Sequence, residues 1–62
     1  MTLYTILYED GHCEYPALII PNTMTHDQVV AFVHAEAVQL RPKVGITRIM
    51  RRSDNTIIWG TK

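Results

Sequence analysis

Residues 24–42, MTHDQVVAFVHAEAVQLRP, decide the fold, because they combine a helix start signal, an apolar stripe and a stop signal. Thr25 and Gln28 have the spacing of a capping box, in which each residue's side chain accepts a hydrogen bond from the other's backbone amide. Pro42 ends the helix shortly before it, because the residue preceding a proline disfavours helical geometry. This stretch therefore predicts one helix from Thr25 to about Leu40.

The predicted helix has two uncharged faces of different character. The larger face is an apolar stripe made of Val29, Val33, Ala37 and Leu40, with Val30 and Phe32 beside it. Such a stripe predicts packing against one face of a sheet. The opposite face is small, at Ala31, Ala35 and Val38. A small face allows another backbone to approach closely, although alanine is also simply a good helix former.

The segment before the helix predicts a β-hairpin. Residues 3–8, LYTILY, are rich in β-branched and aromatic side chains, and residues 13–20, CEYPALII, form the returning strand. Asp10-Gly11 between them is a strong signal for a two-residue turn. A turn of that length pairs Tyr8 with Cys13, Ile6 with Tyr15 and Tyr4 with Ala17, all on the core face.

Pro16 is expected to interrupt the returning strand. Proline has no backbone donor for the ladder, so it is confined to sheet edges and bulges. We therefore expect the second strand to lie at an edge or to carry a bulge. After a bulge, Leu18 and Ile20 can turn inward.

The segment after the helix predicts a second hairpin with irregular alternation. Its strands are residues 46–52 and 56–59, with a turn at 54–55. With a two-residue turn, one face holds Arg48, Met50, Arg52, Ile57 and Trp59, and the other holds Ile49, Arg51 and Ile58. Neither face is cleanly apolar, so we expect an edge, a bulge or a frayed final strand.

These elements predict a single small α+β domain over residues 1–62. The order is β-β-α-β-(β), which gives an antiparallel sheet of three to four strands with one helix packed across one face. The chain contains one cysteine, which excludes an internal disulfide. It has no apolar run of membrane-spanning length and no leader-like N-terminus, so we expect a cytoplasmic protein without a membrane segment.

The charges divide unevenly along the chain. All 6 lysines and arginines lie in residues 41–62, whereas Asp54 is the one acidic residue found there. Such asymmetry points to a charged partner. The alternative is that the two parts of the chain fold together and pair their charges.

The sequence contains no pattern typical of a catalytic or metal site. His26 and His34 are too far apart on the helix to converge as a ligand pair, and His12 lies at the hairpin tip. Cys13 is typical of a buried structural cysteine. A chain of this size also has little room for a substrate pocket. We therefore expect a protein that is not an enzyme and has neither a metal nor a cofactor.

Binding to a larger molecule fits the residues better, and three alternatives remain open. Arginine and tryptophan are favoured anchors at protein interfaces, and a strand arginine can hold a carboxylate with two parallel hydrogen bonds. The predicted contacts are Arg48, Arg51, Arg52, Lys43 and Trp59, with a second, acidic patch at Glu9, Asp10 and Glu14. A weak nucleic-acid-binding module can use the same arginines on phosphates and Trp59 on a base. An assembly subunit would use the Ala31, Ala35 and Val38 face.

Three segments carry a resemblance to a known family. They are YTILYEDGHCEYPALI, TMTHDQVVAFVHAEAVQL and RPKVGITRIMRR, within residues 4–52. Their order resembles the small podovirus inhibitors of bacterial RNA polymerase, which dock on the β′ jaw and carry a Val-Thr-Arg-Val-Arg strand.

The resemblance implies a phage protein that binds and inhibits a host protein. Arg48 falls at the first functional arginine of the family strand, which contacts the acidic jaw surface. Met50 falls at the second, so Arg51 or Arg52 would substitute for it. The family is acidic, whereas this chain is neutral.

Overall fold

The fold is α+β, as the sequence predicts. The computed structural model describes residues 1–61 and contains one helix and an antiparallel sheet. The elements are β1 (Thr2–Tyr8), β2 (Cys13–Glu14), β3 (Ala17–Leu18), α1 (His26–Leu40), β4 (Ile46–Arg51) and β5 (Thr56–Gly60). The strand order is β2-β1-β4-β5, and β3 also pairs with β1. The two long strands β1 and β4 are therefore internal to the sheet.

The helix begins at the predicted capping box. The Thr25 hydroxyl oxygen accepts from the Gln28 amide at 3.2 Å, and the Gln28 side-chain oxygen accepts from the Thr25 amide at 2.9 Å. Val33 and Ala37 are fully buried, which confirms the direction of the apolar stripe. Leu40, in the last turn, is instead 44% exposed, so the stripe covers the sheet only as far as Ala37.

The core lies between α1 and one face of the sheet. Its buried members are Tyr4, Ile6, Tyr8, Val33, Ala37 and Ile49. Alternate residues of β1 supply half of this set, as expected for a strand with one covered face. The small helix face of Ala31, Ala35 and Val38 is exposed.

The predicted register of the first hairpin is wrong by one residue. The Tyr8 amide donates to the His12 carbonyl at 2.9 Å, and the Gly11 amide donates to the Tyr8 carbonyl at 3.0 Å. The loop therefore has three residues, ending at Gly11 with φ +86°, which glycine adopts without steric cost. The observed pairs are Ile6 with Glu14, Leu7 with Cys13, Leu3 with Ala17 and Thr2 with Leu18.

The shift in register moves side chains to the other side of the sheet. Cys13 and Ala17 pair with Leu7 and Leu3, which lie on the face away from α1. The prediction that Cys13, Tyr15 and Ala17 line the core is therefore wrong, since a one-residue slip reverses every side chain of a strand.

Pro16 divides the returning strand, as predicted. The ladder stops between β2 and β3, although the Pro16 carbonyl still accepts from the Tyr4 amide at 3.0 Å. Beyond this break, Leu18 and Ile20 are partly buried and pack against the core. Leu18 and Ile20 therefore lie inward, as expected, but no bulge turns them. The register is the same before and after Pro16, so alternation alone directs them to the core face.

The second hairpin has a longer connection than two residues, and its last strand carries an irregularity. Arg51 pairs with Thr56 across residues 52–55, and the register shifts at Ile58, which opposes no residue of β4. Met50 and Ile57 share a face, as the sequence predicts, and they are direct cross-strand partners. Trp59 was expected on that face but pairs with Ile49 and so joins the core face. The bulge lets both Ile58 and Trp59 pack against the core.

Candidate functional site: the uncovered face of the sheet

The sheet face opposite α1 has no covering layer within residues 1–61. We call it the open face. The strand pairings arrange it in rows that run across the sheet. The rows are Cys13, Leu7, Arg48 and Gly60; Tyr15, Thr5, Met50 and Ile57; and Ala17, Leu3 and Arg52. This face is therefore largely apolar, carries two arginines and has no carboxylate in these rows.

Arg48 lies in the middle of the first row, on the internal strand β4. Its cross-strand neighbours are Leu7 on one side and Gly60 on the other. Gly60 places no side chain beside Arg48, which is partly exposed. Arg48 makes none of the ion pairs found within the described part of the chain. Its charge is therefore available to a partner.

Arg52 lies at the other end of the open face and contacts an exposed aromatic ring. Its backbone amide donates to the Leu3 carbonyl at 3.0 Å, which continues the β1–β4 ladder. Its guanidinium carbon lies 5.5 Å from the centroid of the Tyr15 ring, within the range of a cation–π contact. Tyr15 itself is 61% exposed. The pair presents a preorganised cationic and aromatic surface.

Arg51, the third predicted arginine contact, is directed elsewhere. It pairs with Tyr4 on the core side of the sheet. Its Nε and Nη2 atoms donate to the two Asp54 carboxylate oxygens at 3.1 and 2.8 Å. These hydrogen bonds, with a further one from Thr56, hold the pKa of Asp54 far below its usual range, and the Asp54 contact raises the pKa of Arg51. Arg51 thus stabilises its own turn.

The acidic hairpin is partly neutralised by the rest of the chain. Asp10 accepts from Arg41 Nη2 at 3.0 Å, which joins the acidic and basic parts of the sequence. The His12 amide also donates to Asp10 at 3.0 Å, and this hydrogen bond, followed by Arg41, lowers the Asp10 pKa. Glu14 Oε2 lies 3.3 Å from His12 Nε2. The Glu9 carboxylate packs over Gly45.

The structure therefore separates the predicted contact residues into groups. Arg48 and Arg52 share the open face. Trp59 lies on the helix side, with its ring 4.8 Å from the His34 ring in an edge-to-face contact. Lys43 is exposed in the loop between α1 and β4.

The structure adds an exposed apolar corner to the open face. It is formed by Met1, Leu3, Tyr15 and Ile19, which are 88%, 43%, 61% and 77% exposed. A cleft of about 430 Å³ opens at this corner, lined by Met1, Thr2, Leu3, Arg51, Arg52 and Ser53. Exposed apolar patches of this kind mark interaction sites. The sequence alone does not predict this corner, because only the observed register places Tyr15 near Leu3 and Arg52.

Within residues 1–61, no three histidine, cysteine, aspartate or glutamate side chains are grouped so as to hold a metal ion. None of the described helices is long and apolar enough to cross a bilayer.

In comparisons with known proteins, the chain matches no family model, no curated protein and no solved structure.

Proposed function

We propose that this protein is a small phage-type inhibitor that docks its open face on an acidic surface of a larger host protein. The observation that carries this proposal is that Arg48 and Arg52 share one uncovered sheet face, and neither forms an ion pair within residues 1–61. Arginines beside exposed aromatic and apolar groups are the typical anchors of protein interfaces.

The contrast among the arginines supports a binding role for the open face. Arg41 and Arg51 each hold an aspartate of the same chain, so their charges are already compensated. Arg48 and Arg52 lie on an apolar surface, where a bound carboxylate would be partly shielded from water. Hydrogen bonds between charged groups in such surroundings are stronger than at a fully solvated site.

The proposed host target is bacterial RNA polymerase, and the resemblance of the Gly45–Ile49 strand start to the family motif supports it. Arg48 occupies the position of the first family arginine. Arg52 takes the role of the second, because it lies on the same face as Arg48, whereas Arg51 faces the other way. The protein would act in the host cytoplasm by occupying the polymerase surface.

The first test measures capture and inhibition together. Purified bacterial RNA polymerase holoenzyme is passed over immobilised protein and is also assayed in promoter-dependent transcription. The wild type should retain the enzyme and reduce transcript yield, and Arg48→Gln should weaken both effects about tenfold, the cost of one charge-assisted contact.

The matched control is Gln39→Glu, which changes the net charge by the same amount on the exposed end of α1. It should behave as the wild type. Equal loss in both variants would show that only overall charge matters and would contradict docking through the open face. If the wild type neither retains nor inhibits polymerase, the target is wrong. A protein recovered from bacterial lysate in an Arg48-dependent manner would then identify the actual host protein.

A second candidate function is weak binding of single-stranded nucleic acid, and the exposed Tyr15 ring beside Arg52 favours it. An aromatic ring and arginines on an open sheet face can stack on bases and neutralise phosphates. Only two unpaired arginines lie on this face, so the affinity would be low. Binding of random single-stranded RNA that falls steeply with salt, and that Tyr15→Ala and Arg52→Gln both weaken, would support this candidate over protein docking.

A further inference from the structure

We infer that the partner element that covers the open face is an amphipathic α-helix with two acidic residues about two turns apart. This inference rests on the proposed function and deepens it, because it names the chemistry and the secondary structure that the partner brings to the same site. It follows from three properties of the open face: its apolar centre, its charge, and the spacing of its arginines.

The apolar centre of the open face requires a partner whose backbone is internally hydrogen-bonded. Leu7, Met50 and Ile57 offer no hydrogen-bonding groups to a segment lying above them. An extended segment placed there would leave its backbone amides and carbonyls unpaired, which is unfavourable in a buried interface. A helix satisfies these groups itself, and a helix is one of the elements that bury an apolar stripe against a sheet face.

The charge of the open face excludes its pairing with the open face of a second copy of this chain. Arg48 and Arg52 both lie there, and the rows contain no carboxylate. Two copies stacked face to face would bring two pairs of arginines together without a counter-charge. Burying unpaired charges is strongly unfavourable. The occupant must therefore supply its own acidic groups.

The spacing of the arginines sets the spacing of those acidic groups. Arg48 and Arg52 are four residues apart along one line of the sheet, which corresponds to about 13 Å. Residues i and i+7 of a helix lie on the same side and are about 10.5 Å apart along its axis. The flexible arginine side chains cover the small difference. Apolar residues between the two acidic positions would then lie over Met50 and Thr5.

The apolar corner defines one end of the bound helix. Arg52 and Leu3 both line the cleft of about 430 Å³ at that corner. A large apolar side chain one turn beyond the acidic residue that meets Arg52 would reach this cleft. The inferred binding pattern is thus apolar, acidic, apolar, acidic, with one helical turn between successive positions.

The test uses a designed probe with this pattern. A fluorescein-labelled, alanine-based helical peptide of about five turns carries two glutamates separated by two turns, with leucines at the apolar positions. The control peptide has the same composition, but its two glutamates lie on opposite sides of the helix. Binding is followed by fluorescence anisotropy at low salt and mapped by amide chemical shifts of the protein.

We expect the patterned peptide to bind about tenfold more tightly than the control peptide. Arg48→Gln and Arg52→Gln should each weaken binding of the patterned peptide about fivefold to tenfold. When the peptide glutamate that meets the substituted arginine is itself replaced with glutamine, wild type and variant should bind equally well. Gln39→Glu should have no effect. Shifts should concentrate at Leu7, Thr5, Met50 and Ile57.

Equal binding of the two peptides would overturn the inference. Shifts confined to Ala31, Ala35 and Val38, or no binding at all, would also overturn it. Capture of the larger partner distinguishes a failure of this inference from a failure of the proposed function. If the larger partner is still captured in an Arg48-dependent manner while the peptide fails, the open face binds its partner but does not receive a helix. If neither occurs, both proposals fail.

Discussion

The hydroxyl group of Tyr8 donates a buried hydrogen bond of 2.7 Å to the carbonyl oxygen of Ala37. The same carbonyl also accepts from the Arg41 amide at 3.2 Å, so it ends the helix and holds it to β1. Burial raises the pKa of Tyr8, with a smaller contribution from Glu14, so the hydroxyl keeps its proton and remains a donor. This contact fixes α1 on one face of the sheet and leaves the other face open.

Replacing Tyr8 with phenylalanine tests how much this contact stabilises the fold. Tyr8→Phe keeps the buried ring and removes the donor, while the Arg41 amide still satisfies the Ala37 carbonyl. We expect the free energy of unfolding to fall by about 1 kcal/mol, as for loss of a typical hydrogen bond. Equilibrium urea unfolding measures it, with Tyr15→Phe as the control on an exposed ring. An equal change in both variants would contradict the role given to this contact.

Two glycines should respond differently to alanine. Gly60 has φ +93°, and an added Cβ would overlap the Thr47 carbonyl oxygen and the Arg48 Cα atom, which are backbone atoms and cannot move freely. At Gly45 the three atoms nearest to an added Cβ all belong to the flexible end of the Glu9 side chain. Gly60→Ala should therefore lower the free energy of unfolding by more than the roughly 1 kcal/mol of an ordinary strained site, and so lower the thermal unfolding midpoint markedly. Gly45→Ala should change it little. The reverse order would show that β5 does not approach β4 as described.

Acid should weaken the β4–β5 turn through Asp54. Arg51 holds the pKa of Asp54 far below the value of about 3.9 expected in the unfolded chain. A depressed carboxyl pKa stabilises the fold above the unfolded value, and this stabilisation is lost as the pH falls below about 5. Between about pH 5 and pH 2 the wild type should therefore lose stability more steeply than Asp54→Asn, as measured by urea unfolding at each pH. Parallel curves would mean that the ion pair does not persist in solution.

The helix could be predicted from sequence because its determinants are local. Thr25 and Gln28 are three residues apart, and their mutual hydrogen bonds depend on little else. The hairpin register could not be predicted in the same way. Asp10-Gly11 fits a two-residue turn, but Gly11 can equally follow Asp10 as the left-handed residue of a three-residue loop. The two loop lengths place opposite sets of side chains from the returning strand in the core, so packing against the rest of the core selects the loop length.

The part of the candidate site that depends on local alternation could be predicted from the sequence, and the part that depends on strand pairing could not. Alternation along one strand places Arg48, Met50 and Arg52 on a common face, and the pairing with β1 confirms it. The sheet face on which Trp59 lies depends on a bulge at Ile58, and no local sequence pattern predicts that bulge. The bulge expected in the second hairpin is present where β4 pairs with β5, but the arginine-rich strand β4 is internal and does not lie at an edge. Arg48 and Arg52 are accessible because one sheet face lacks a cover.

The two neighbouring arginines Arg51 and Arg52 should separate stability from binding. Arg51→Gln removes the partner of Asp54 and should lower the thermal midpoint without weakening capture of the partner protein beyond about twofold. Arg52→Gln should leave the midpoint nearly unchanged and weaken capture about tenfold, because its guanidinium faces the partner. Thermal unfolding and capture assays on the same preparations measure both properties. If Arg51→Gln lost capture and Arg52→Gln did not, the partner would contact Arg51, and the role given to Arg52 would be wrong.

The central claim, that the open face is the binding surface, is tested most directly by hydroxyl-radical footprinting of the protein with and without its captured partner. Oxidation is read by mass spectrometry at Leu3, Tyr15 and Met50 on the open face and at Val38 and Leu40 on the exposed side of α1. We predict that the partner protects the three open-face residues several-fold and leaves the two helix residues unchanged. Protection of Val38 and Leu40 with no protection of Tyr15 and Met50 would contradict the claim and assign binding to the helix.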